Sequence, residues 1–164
     1  MYKTGLIRFL ETFSDKCLLL DDEQNGYSYS DLILLCRSDQ FSETKGRLVI
    51  CLIENNIHSL IGYLALIISG AVPMLIPANI NNRFLNKYIE DFKPKYIWSP
   101  RSINVNMDDF SIKKTIGDYN LIDLKQKDFA LNASLALLLS TSGTTGSSKF
   151  VRLSKLNLLS NASS

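Results

Sequence analysis

Apolar runs and helical stripes alternate along most of the chain. Residues 47–53, RLVICLI, are continuously apolar and rich in β-branched side chains, the pattern of a strand covered on both faces. Ile57, Leu60, Ile61, Leu64 and Ile68 then share one stripe, which predicts a helix over 57–69. Residues 71–76, AVPMLI, read as a second buried strand. One of the asparagines between Asn79 and Asn82 caps a helix over 81–92, which Pro94 ends, and residues 95–99 form a third strand. Further on, 121–124 is a short strand, 135–141 a strongly apolar one, and 149–154 alternates as a strand with one wet face. Residues 100–119 show no clear period. Before all of these, Leu6, Ile7, Leu10 and Phe13 predict an amphipathic first helix. A short apolar run at 17–20 precedes turn residues and a segment that becomes helical near Ser30, with Leu32, Leu35 and Cys36 inward.

Strand–helix–strand–helix–strand order predicts an α/β fold, a mostly parallel sheet with helices on both faces. Strands 47–53, 71–76 and 95–99 should be neighbours, with helices 57–69 and 81–92 as right-handed crossovers. Neither repeat nor linker divides residues 1–164, so they read as one α/β subdomain. The stretch from Ser154 starts like a capped helix, with Leu156 and Leu159 inward, and stops without a C-cap. That ending predicts a subdomain truncated at its C-terminus. Apolar surface near Phe150 and on the last helix would be uncovered, and self-association is expected.

Residues 55–82 contain no Asp, Glu, Lys or Arg and are apolar enough to raise the question of a membrane span. Gly70 and the prolines at 73 and 77 punctuate the run, so a buried helix and a buried strand are expected instead. No secretory signal precedes them. Lys plus Arg number 18 and Asp plus Glu 16, a net charge of +2, which leaves no cationic excess for a nucleic-acid surface. Trp98 and the seven tyrosines show no interleaving with Lys or Arg, so no base-stacking platform is expected. Cys17, Cys36 and Cys51 form no CxxC or ligand pattern and read as buried thiols in a reducing, cytoplasmic setting. Asp21, Asp22 and Glu23 beside Asn25-Gly26 read as a solvated turn, and His58, the single histidine, as a helix N-terminal residue. No metal site is expected.

One segment carries chemistry. Ser140 to Ser147 is a run of eight Ser, Thr and Gly residues directly after the strand 135–141, followed by Ser148 and Lys149. Glycines let backbone N–H groups approach an anion, hydroxyls add neutral donors, and the lysine adds full charge, a combination suited to polyphosphate. It is not the P-loop of NTPases. From Gly143 that pattern needs glycine at 148 and Ser or Thr at 150, where the chain has Ser148 and Phe150. A plain flexible hairpin loop is the competing reading.

The segment STSGTTGSSK resembles the signature loop of the adenylate-forming enzymes, which include acyl-CoA synthetases, luciferases and peptide-synthetase adenylation domains. Thr141, Ser142, Gly143, Thr144, Thr145, Gly146 and Lys149 match its usual form, TSGTTGxPKG, and Leu153, Ser154, Asn157 and Leu158 match the segment after it. Ser148 stands where proline is usual, and Phe150 where glycine is usual. The loss of proline loosens the loop, while Phe150 adds bulk on a strand. Upstream, residues 46–56, 69–77 and 93–98 resemble further elements of the family, so the likeness covers most of the chain.

The resemblance implies a ligase that forms an acyl-adenylate from a carboxylic acid and Mg2+·ATP. Pyrophosphate is released, and the acyl group passes to a thiol of CoA or carrier pantetheine. It implies that Thr141, Ser142, Gly143, Thr144, Thr145, Gly146 and Lys149 hold the ATP β- and γ-phosphates. No acid, base, nucleophile or metal ligand is implied within the chain. Family members are several times longer, so the resemblance implies an N-terminal fragment, inactive alone. A non-catalytic nucleotide- or anion-binding module of the same fold, or a partner surface, is the alternative.

Overall fold

The computed structural model describes residues 11–12, 17–20, 26–36, 39–103, 109–140 and 149–162. The expected first helix lies almost wholly outside them. Strands β1 (Cys17–Leu20) and β2 (Gly26–Ser28) pair antiparallel in a sheet of their own. Helix α1 (Tyr29–Cys36) follows. The Ser28 amide and hydroxyl both donate to Asp31 Oδ2 at 2.8 and 2.7 Å. The Asp31 amide donates back to Ser28 Oγ at 3.2 Å, a reciprocal cap that holds the Asp31 carboxyl below the ordinary range. A 3-10 helix, Asp39–Thr44, leads into the main sheet.

That sheet contains β3 (Leu48–Ile53), β4 (Val72–Pro77), β5 (Tyr96–Pro100), β6 (Ser111–Ile116), β7 (Tyr119–Asp123), β8 (Leu135–Ser140) and β9 (Phe150–Ser154), in the order β6-β7-β5-β3-β4-β8-β9. β3 is central and pairs parallel with β4 and β5, as the two crossovers require, and β4 pairs parallel with β8. Antiparallel pairing at β5–β7, β7–β6 and β8–β9 makes the sheet mostly, not wholly, parallel.

α2 (Ile57–Ser69) and α3 (Asn82–Phe92) cover opposite faces. Ile57, Ile61, Ala65 and Ile68 of α2 pack with Val49, Cys51 and Trp98. Leu85, Tyr88 and Ile89 of α3 pack with Leu48, Ile50, Leu52 and Ile97. Alternate residues of β3 and β5 thus enter two cores, which is why residues 48–52 are all buried. Burial pushes the Cys51 thiol up, so it stays protonated and unreactive.

Caps set the helix lengths. Asn56 Oδ1 accepts from the Ser59 amide, and Gly70, at φ 82, ends α2. The Ala71 amide reaches back to the Leu66 carbonyl at 3.0 Å. The apolar run is therefore a 13-residue helix and a strand. Among the described residues no helix is long and apolar enough to cross a membrane. Asn81 caps α3, and Lys93 in the left-handed region closes it before Pro94.

β6 lies in the stretch without a clear period. Its register shifts between Ile112 and Lys114, and this edge irregularity breaks the alternation that would have announced it. The two-residue turn Gly117-Asp118, with Gly117 at φ 55, joins it to β7. Phe150 itself is half-buried, and beside it Val151 is exposed. The Phe150 ring packs against the core on the α3 face, whereas Leu156 is 78% exposed.

Candidate functional site

Ser140 pairs with Phe150 across β8 and β9, so the chain leaves the sheet after Ser140 and rejoins it at Phe150. Residues Thr141, Ser142, Gly143, Thr144, Thr145 and Gly146 lie outside the described residues, as does Ser148. Lys149 is described, exposed, and immediately precedes β9. The structure thus brings together the two ends of the signature segment at one place on the sheet.

That place is the carboxyl end of the parallel strands. Because β8 is parallel to β4, and β4 to β3, the segment follows β8 at the same rim where Ile53, Pro77 and Pro100 end their strands. The N-termini of α2 and α3 lie in the connections that leave this rim. In open α/β sheets ligands bind outside the carboxyl ends of strands, where helix N-termini favour anions.

The exit strand is held from three sides. Backbone pairing with β8 fixes its register from Ser140↔Phe150 to Leu135↔Ser154. The Phe150 ring meets Tyr88 and Phe92 of α3 at centroid distances of 5.3 and 5.2 Å. At its far end Ser154 caps α4 (Lys155–Ala162). The Asn157 amide donates to Ser154 Oγ at 3.1 Å while the Ser154 amide donates to Asn157 Oδ1 at 3.0 Å. This reciprocal cap is a physical reason for Ser154 and Asn157 at that spacing. The ring contacts were not legible in the sequence, where Phe150 marked only a departure from the signature.

His58 does occupy the first turn of α2. Its Nδ1 lies 2.7 Å from Asp118 Oδ1, and its ring covers Gly117, where a Cβ would come within 2.2 Å. The imidazole thus ties α2 to the β6–β7 turn, a structural task. Among the described residues no group of three or more His, Cys, Asp or Glu side chains gathers as a metal site. The described pocket of about 290 Å³ is lined by Asn132, Ser134, Leu135, Arg152, Leu153, Ser154 and Asn157. It lies at the opposite end of the β8–β9 hairpin from Lys149.

No protein-family model matches the sequence, and no curated protein matches it. Solved structures do match. O-succinylbenzoate coenzyme A synthetase (MenE) from Bacillus subtilis, in complex with AMP, is 17% identical with a TM-score of 0.67, over 96% of this chain and 44% of that one. The N-terminal subdomain of Klebsiella oxytoca NpsA is 22% identical with a TM-score of 0.62, over 92% and 41%. Apo MatB from Rhodopseudomonas palustris is 20% identical with a TM-score of 0.62, over 96% and 36%. At these identities the likeness is one of fold: the α/β arrangement found in the N-terminal subdomain of adenylate-forming ligases. The chain spans less than half the length of each of these structures.

Proposed function

We propose that the chain supplies the N-terminal subdomain of an ATP-dependent ligase that activates a carboxylate as its adenylate, with residues 141–149 holding the β- and γ-phosphates. The observation that supports this reading is the position of Ser140 and Lys149, the described residues that flank the segment, after a parallel strand and at the carboxyl rim of a sheet shaped like that of MenE and NpsA. One neighbour was solved with an acyl-adenylate, which supports an adenylate as the intermediate here. In the proposal Thr141, Ser142, Thr144 and Thr145 donate hydroxyl protons, Gly143 and Gly146 donate backbone N–H, and Lys149 supplies charge.

These groups act on the leaving group. When a carboxylate oxygen attacks the α-phosphorus, the bond to the bridging oxygen breaks and negative charge grows on the departing pyrophosphate. Donors already fixed there stabilise the transition state more than the ground state. Mg2+ belongs to the proposal as the ion that ATP carries; no residue of this chain is assigned to it. Transfer to CoA or carrier pantetheine, and a cytoplasmic location, complete the proposal.

Catalysis needs a carboxylate held in line with the α-phosphorus, and no residue of this chain is assigned to that task. The 164-residue chain is therefore expected to release no pyrophosphate from ATP with a panel of carboxylic acids. A longer chain carrying this segment should release it, and its Lys149→Ala variant should be slowed by about 10²–10³, the usual effect of removing one preorganised donor. Turnover by the short chain that vanishes in its Lys149→Ala variant would place a complete site within it. Nucleotide binding without turnover in the longer chain would favour a binding module.

A further inference from the structure

Phe150 is held twice. Its backbone pairs with Ser140 across the ladder, and its ring stands edge-on to two rings of α3. The Tyr88 contact has an interplanar angle of 83° and the Phe92 contact 74°. Tyr88 and Phe92 themselves meet edge-to-face, with centroids 6.3 Å apart at 71°, so the three rings close a triangle. Such edge-to-face geometry is the favoured one between aromatic quadrupoles, and three mutual contacts resist rotation of any one ring. Tyr88 is buried in the core on this face, so the triangle anchors β9 to the body of the domain rather than to another surface group.

Lys149 is the residue immediately before this anchor. A lysine is a point charge on a flexible four-carbon stem, and its useful strength depends on how well its backbone is placed. A glycine at position 150 could supply the ladder contact alone. Phe150 adds a side-chain constraint one peptide away from the cation.

We infer that Phe150 is a positioning residue for Lys149, its ring against Tyr88 and Phe92 fixing the point at which the chain enters β9 directly after the lysine. The inference rests on the phosphate-binding reading of Lys149 and goes beyond it by naming what holds the lysine in place.

The test is a titration of the chain with inorganic tripolyphosphate, at a temperature where thermal scans show every variant folded. Phe150→Gly and Phe92→Leu are each expected to weaken binding about fivefold, in line with the loss of edge-to-face ring contacts. Phe150→Tyr keeps the ring and is expected to bind within about twofold of the parent. Backbone relaxation at the Lys149 amide should show larger motion in the first two variants and not in the third. A merely structural role would move the thermal midpoint and leave affinity alone. If Phe150→Gly binds as the parent does while Lys149→Ala loses binding, the positioning role is overturned and the phosphate reading stands. If Lys149→Ala binds as the parent does, both fall. Should Phe150→Gly fail to fold, Phe92→Leu decides: unchanged affinity overturns the inference, and a fivefold loss supports it.

Discussion

Gly62→Ala lowers the unfolding free energy by about 1–3 kcal/mol, a substantial share of the roughly 5–15 kcal/mol of an ordinary domain. Gly62 lies inside α2, where alanine would normally gain about 1 kcal/mol in helix propensity. Packing reverses that sign. A Cβ at Gly62 would stand 2.0 Å from Trp98 Nε1 and 2.1 Å from Cε2. The indole cannot shift without losing packing, because it is fully buried, stacks on Tyr119 at 5.3 Å and meets Phe41 at 5.6 Å. Either α2 moves outward or the ring is expelled, and both open the core that holds Ile61 and Ala65. Urea unfolding measures the loss, and Trp98→Leu in the alanine background should recover part of it. A Gly62→Ala chain as stable as the parent would show that α2 can lift off Trp98 at little cost.

Asp123→Ala costs about 2–4 kcal/mol, near the range for breaking a buried ion pair but reduced by the partial exposure of its partners. Asp123 ends β7 and is buried. The ammonium groups of Lys125, Lys95 and Lys113 surround its carboxylate at 3.6, 3.8 and 4.0 Å. The Lys125 amide also donates to Oδ1 at 2.8 Å, which holds Lys125 at φ 54. Removing the carboxylate leaves clustered lysines and an unpartnered turn amide. Asp123→Asn, which keeps an acceptor for that amide, should lose about half as much. Equal stability of Asp123→Ala and the parent in low-salt urea titrations would reduce the cluster to a solvated network.

Residues 57–76 show what a sequence makes legible. A charge-free run could have been a membrane span, but Asn56, Gly70 and Pro73 act within a few residues of themselves, so their local meaning survives in the fold. The central strands were legible for the same reason: burial on both faces leaves no polar position in 48–52. The flanks were not. β6 is an edge strand with a register shift, and its period was lost, although Gly117-Asp118 between two β-prone runs is a hairpin signal. At the proposed site the sequence offers a candidate by composition alone, because Gly, Ser, Thr and Lys carry their chemistry with them. The ring triangle was not legible, because Tyr88 and Phe150 lie 62 residues apart in the chain and meet only once α3 and β9 are in place.

In the proposed function this end of the sheet holds the β- and γ-phosphates of ATP. The most direct measurement follows the backbone amides of Ser140 and residues 149–154 while the chain is titrated with ATP, tripolyphosphate and AMP, each with Mg2+. A few charge-assisted bonds at about 1.5–3 kcal/mol each, against ordering costs of about 1–2 kcal/mol per residue, leave affinity on the order of millimolar. The expected result is matched binding of ATP and tripolyphosphate that shifts these amides and is lost in Lys149→Ala, with AMP at least about tenfold weaker because it lacks both phosphates. AMP binding as tightly as ATP, or shifts that persist unchanged in Lys149→Ala, would contradict the account.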